Sequence, residues 1–120
     1  MPKTVILYNL KDGVKEEDYL KWVREYKAPL QLSLKSGKRF TMLRMSRGEK
    51  GDGQKGIEPQ QVKPPYKYVV IMDVTSLEGW QKDTMSSKEF METLAPTWFT
   101  KWVADFVALA GEEIYDRAKD

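Results

Sequence analysis

The sequence predicts an α+β fold in which one antiparallel sheet carries helices on a single face. Three observations lead there. Runs rich in β-branched and aromatic residues, at 4–10, 38–46 and 66–74, read as strands. Segments with apolar residues at helical spacing fall between and after them. The run at 66–74 is apolar on both of its faces, more than one layer of helices can cover.

The elements follow in order. Thr4–Leu10 (TVILYNL) is the first strand, and Asp12-Gly13 turns the chain. Tyr19, Trp22, Val23, Tyr26 and Leu30 then mark one helical face, with Glu16, Glu17 and Asp18 placed where the helix dipole favours negative charge. Pro29 should kink or end this helix, with a looser extension through Leu34 to Gly37. Lys38–Ser46 (KRFTMLRMS) is the second strand. Residues 47–65, rich in Gly, Pro, Lys and Gln, cannot bury a core. They read as a flexible loop or an arm ordered by a partner. Tyr66–Val74 is the third strand.

Two capping boxes follow, Thr75–Glu78 and Ser86–Glu89, the first opening a short helix with Trp80 and Asp83. Pro96 marks a break or a new first turn. From Trp98 to Ala110 the apolar residues suggest a last helix closed by Gly111, leaving Glu112–Asp116 as a short fourth edge strand. Split strands in this order suggest a ferredoxin-like sandwich. Tyr68, Val70, Met72 and Val74 share one face of the third strand; Val69 and Ile71 share the other with Asp73. A homodimer that buries the second face is the economical solution.

The 120 residues fit one domain, 1–120. The net charge of +2 is spread along the chain. Lys35, Lys38 and Arg39, the densest basic group, read as a solvated turn, so no nucleic-acid face is expected. Absence of Cys removes disulfides and fits a reducing compartment. Absence of both His and Cys excludes imidazole and thiolate metal sites, His- or Cys-ligated haem, and Ser-His-Asp or Cys-His catalysis. Acid–base work must fall to Asp, Glu, Lys or Tyr. Gly48, Gly51, Gly53 and Gly56 lack the following helix that a phosphate cradle needs. With no signal peptide or membrane segment read in the chain, a cytoplasmic protein without organic cofactor or metal is expected.

Asp73 is the leading candidate for chemistry, a lone carboxylate in an apolar strand. At a pocket mouth it would act as general acid or base; otherwise it caps the next helix or pairs with a base. Trp80 and Asp83, one turn apart, suit a planar, weakly basic ligand, or else are a core indole and a solvated acid. Asn9 is polar among apolar strand neighbours and either donates to a ligand or satisfies nearby backbone. Tyr8, Tyr68 and Arg44 offer hydroxyl and guanidinium groups within the sheet, Arg44 for an anion or a salt bridge. Tyr19, Trp22, Tyr26, Trp98 and Trp102 read as core, with some able to line a cavity.

The first strand, EDYLKWV at 17–23, YKYVVIMDVTSLEGWQKDT at 66–84 and FVALAGEEI at 106–114 resemble the RedY-like (HapK) family. The resemblance spans nearly the whole chain outside 47–65, and DVTSLEGWQKD is its most specific part. It implies a dimeric α+β barrel with a ligand pocket between sheet and helices. It also implies association with prodiginine and related bisindole pathways. The wider superfamily holds cofactor-free monooxygenases, cyclases and isomerases of aromatic compounds. Members of the RedY-like group have been connected with cyclisation. A cofactor-independent cyclase using carboxylate acid–base catalysis, with Asp73 moving the proton, is therefore expected. A non-catalytic carrier of a small aromatic intermediate and a cofactor-free monooxygenase are the alternatives.

Overall fold

A computed structural model of the chain describes residues 1–120, with every side chain but that of Ile57. Four strands form the main sheet: β1 (Lys3–Leu10), β2 (Gly37–Arg44), β5 (Tyr68–Val74) and β6 (Val103–Gly111). Their spatial order is β2-β5-β1-β6, and all three pairings are antiparallel. Between β1 and β2, α1 (Glu16–Trp22), a π-helical turn (Val23–Lys27) and α2 (Ala28–Ser33) run on as one rod. Between β5 and β6 lies α3 (Leu77–Ser86), then a second rod made of a π turn (Phe90–Leu94), α4 (Ala95–Thr97) and a further π turn (Trp98–Trp102). Both connections lie on one face of the sheet, giving the ferredoxin-like sandwich. No helix among the described residues is long and apolar enough to cross a membrane.

Strand parity sorts the two faces. Beneath the helices lie Tyr8, Tyr68, Val70, Met72 and Val74, all buried, with Tyr19, Val23, Trp98 and Trp102 descending from the rods. Burying each of these large side chains contributes about 1.5–3 kcal/mol. The opposite face carries no helix. Leu43, Val107 and Leu109 lie exposed on it, beside Val5, Leu7 and Ile71.

A close approach locks α3 to the sheet. A Cβ built on Gly37 would lie 2.6 Å from Gln31 O, 2.8 Å from Met72 Cε and 3.0 Å from Trp80 Cζ3, so only glycine fits there. The helix starts at Ser76, whose Oγ accepts from Gly79 N–H at 2.9 Å, one residue later than the box read from sequence. The next rod likewise starts one residue late, with Ser87 Oγ accepting from Phe90 N–H.

Several expectations are corrected. Within 47–65, expected as a loop or an arm, β3 (Gly48–Asp52) and β4 (Ile57–Val62) pair antiparallel as a separate ribbon. A ribbon needs backbone bonds rather than a core. Its turn is set by Asp52 Oδ1, which accepts from the N–H groups of Gln54 and Lys55, and by Gly56 at φ +64°. The last helix ends at Trp102, and Val103–Gly111 is a strand. The free edge of β1 would otherwise expose a row of unpaired N–H and C=O groups, and β6 covers it. Ala104, Ala108 and Ala110 fit either period, which is why the sequence reads as helix. Residues 112–116 accordingly form no strand. Nor does Pro29 end its helix. The π turn closes just ahead of it, with Ala28 N–H bonding Val23 O, and Pro29 sits in the first turn of α2.

Candidate functional site

On the first rod the inward row runs Tyr19, Val23, Lys27, Gln31, each four residues from the last and all buried. Two polar residues thus continue a row begun by two apolar ones. The widened turn carries them there: Tyr26 moves toward the rim, where its hydroxyl bonds Glu89, and Lys27 takes the inward position. The second rod repeats the device. A π turn closes with Ala95 N–H on Phe90 O, and Pro96 follows, as Ala28 and Pro29 do on the first rod.

The two widened turns face one cavity of about 240 Å³ between the rods and the β1–β6 edge of the sheet. Its walls are Ile6, Phe90, Leu94, Ala95, Trp98, Phe99, Phe106 and Ala108, with Lys27 and Gln31 the polar residues on the lining. Phe99 and Phe106 are partly exposed and stand at the mouth, 5.2 Å apart between ring centroids. The volume lies just below the range of about 300–1,000 Å³ usual for drug-sized ligands. It is sized for one fused aromatic ring system, with larger substituents left at the mouth.

Lys27 is 3 % exposed. Its Nζ donates to Gln31 Oε1 at 2.9 Å and lies 5.0 Å from the Phe40 ring centroid and 5.9 Å from that of Trp98. No carboxylate pairs with it among the described residues. Desolvation alone drives its pKa from 10.5 down to about 7. Ring-face contacts return about 0.5–2 kcal/mol to the charged form, against about 5 kcal/mol of opposing burial, so the neutral amine is well populated near neutrality.

The Trp98 wall is fixed by a buried chain of hydrogen bonds. Trp98 Nε1 donates to Tyr19 Oη at 2.9 Å, Tyr19 Oη–H donates to Tyr8 Oη at 2.9 Å, and Tyr8 Oη–H points at Met42 Sδ, 3.8 Å away. Burial, then the neighbouring Tyr19, push the Tyr8 hydroxyl far above its ordinary range. Tyr8 is therefore a neutral support for the indole rather than a proton donor at pH 7.

None of the seven residues singled out from sequence lines this cavity. Asp73 lies on the helix-free face, opposite Lys3 in register, and accepts from Lys3 Nζ at 2.9 Å. Asn9 anchors the return from the ribbon, donating to Pro65 O and accepting from Lys67 N–H. Arg44 makes a two-pronged pair with Glu16, both contacts at 2.7 Å, and Tyr68 Oη–H donates to Glu16 at 2.8 Å. Arg44, then Tyr68, hold the Glu16 carboxyl down at about 2. Burial, then Glu16, push Tyr68 up to about 12. Trp80 packs on Met72 and Val74, while Asp83 accepts from the hydroxyl and N–H of Ser36, which hold its carboxyl below its usual range. Lys27 and Gln31 escaped the sequence reading because polar residues on an amphipathic helix are assigned to water by default. The signal was the run of four-residue steps from Tyr19 through Val23 to Lys27 and Gln31, with a proline two residues beyond Lys27.

No curated protein sequence matches the chain. Among solved structures, HapK from Hahella chejuensis is 21 % identical with a TM-score of 0.68, covering 100 % of this chain and 99 % of its own. At3g17210 from Arabidopsis thaliana is 17 % identical with a TM-score of 0.72, covering 98 % and 100 %. A protein from Thermobifida fusca described as dimeric and ferredoxin-like is 16 % identical with a TM-score of 0.60, covering 92 % and 88 %. At these identities the structures share the fold. Residues 2–114, nearly the full length, match the REDY-like protein HapK family, and the chain belongs to it.

Proposed function

We propose that this protein is a cofactor-independent enzyme of aromatic natural-product biosynthesis, a cyclase by preference, whose substrate sits in the sheet–helix cavity. One observation carries the reading: a buried, unpaired lysine opens onto an aromatic-walled cavity in which no other group ionises. Such a site holds a planar ring by stacking and edge contacts and presents one amine to it. The amine, not a carboxylate, acts on the substrate, and Gln31 orients it. The protein pairs as a homodimer through the helix-free face, which leaves Leu43, Val107 and Leu109 uncovered in the single chain. Asp73 and Lys3 then belong to the interface rather than to the chemistry.

Isothermal titration with indole and carbazole tests the reading. Binding is expected, with affinity falling at least tenfold in Ala108→Phe, which fills the cavity. Equal affinity in the two proteins, or no binding by either, overturns it. A bisindole or pyrrole intermediate converted by the parent and not by Lys27→Met places the chemistry at the amine. Binding in both without conversion by either favours a carrier.

A further inference from the structure

We propose that Lys27 is a covalent nucleophile, and that the substrate class of the cavity is an aryl aldehyde or ketone captured as an imine. This rests on the cavity reading above and specifies it. A buried lysine without a carboxylate partner suits attack on a carbonyl better than it suits holding an anion. Binding a carboxylate or phosphate would require the ammonium form, in a site whose apolar walls disfavour charge. A neutral polar group remains, and a carbonyl is the one that an amine can convert.

The surroundings fit each stage. Among the described residues, nothing charged faces Nζ from the elements packed on it. The first rod offers Gln31, β2 offers Phe40, the second rod offers Trp98 and Leu94, and the sheet edge offers Ile6 and Ala108. Gln31 accepts one N–H and leaves the amine free to turn its lone pair toward the cavity. The nitrogen attacks the carbonyl carbon and the C–O π pair moves to oxygen. One amine proton follows to give the carbinolamine. Oxygen then departs with both former amine protons as water, and the C=N bond forms. Gln31 is a positioning residue that holds Nζ at the cavity wall.

Borohydride trapping tests this. The protein is incubated at pH 7 with limiting indole-3-carbaldehyde, reduced, and read by intact mass and peptide mapping. One secondary-amine adduct on Lys27 is expected, suppressed by excess indole and by Ala108→Phe. Labelling there should exceed that of any exposed lysine by about a hundredfold, because exposed amines near 10.5 are almost wholly protonated at pH 7. Lys27→Met and Lys27→Arg should lose the adduct while circular dichroism shows the fold intact. Gln31→Leu should slow trapping about tenfold and is rescued in part by Gln31→Asn. Indole bound in the cavity with no Lys27 adduct overturns the covalent step and leaves the cavity reading standing. Adducts on surface lysines alone also overturn it, and failure of both adduct and indole binding overturns both.

Discussion

Lys27→Met is the most informative single perturbation of stability. In the unfolded chain the amine holds its proton up to about 10.5, and in the folded chain it releases it near 7. Between those values the unfolded state binds more protons, so stability rises with pH. The contribution is fully present above 10.5, is lost as pH falls toward 7, and levels off below. At about 1.36 kcal/mol per pH unit, the gap amounts to about 5 kcal/mol at pH 6. Integrated from pH 9 to pH 6, the loss is about 2.5 kcal/mol, or about 1–2 M in the urea midpoint of a domain this size. Urea denaturation at pH 6, 7.5 and 9 is the assay. The parent should lose that much, whereas Lys27→Met should be nearly flat and more stable at pH 6 by about 3–5 kcal/mol. Parallel pH profiles for the two proteins would mean that the amine is not desolvated, and the reasoning from burial to reactivity would fail with it.

Other consequences are separate. Glu16→Gln removes the carboxylate that Arg44 and Tyr68 hold down; its contribution is present above about 4.5 and lost as pH falls toward 2. Because the pair is partly exposed, about 1 kcal/mol or less is expected at pH 7, seen as a melting difference that shrinks below pH 4.5 and vanishes below about pH 2. Gly37→Ala drives a methyl into Gln31 O, Met72 and Trp80 and should cost about 1–3 kcal/mol in denaturant titrations; a neutral result would show that α3 moves freely on the sheet. Leu109→Asp places a charge on the helix-free face, where Leu109 is 55 % exposed. Sedimentation should then give one chain's mass in place of two, and an unchanged dimer would assign pairing to another surface.

Much of the sheet was legible in the sequence because β1, β2 and β5 alternate or run apolar between clear turns. The Tyr68–Val74 strand showed most, since its two apolar faces pointed both to the helical layer and to the uncovered side. The chain from Val103 to Gly111 was not legible. Its alanines satisfy either period, and what decides for strand is the unfilled edge of β1, a fact of tertiary structure. The ribbon at 48–62 was hidden for a related reason, since it is held by backbone bonds and one Asp52 turn rather than by apolar pattern.

The candidate site was the least legible part. Asp73 drew the eye as a charge in an apolar strand, but parity sends it to the helix-free face, where Lys3 pairs with it. Lys27 sits in the sequence as an ordinary helix lysine. The π turn of the first rod, closing ahead of Pro29, places it inward, and Phe90 and Leu94 from the π turn of the second rod line the space beside it. Helical periodicity at a fixed 3.6 residues cannot show that placement.

A crystal structure of the protein with an indole-class aromatic bound decides where the ligand sits. The ring is expected inside the cavity against Trp98 and Leu94, with its polar substituent in reach of Lys27 Nζ. A ring seated instead beside Asp73 on the helix-free face, or a cavity closed to the ligand while it binds elsewhere, would contradict it.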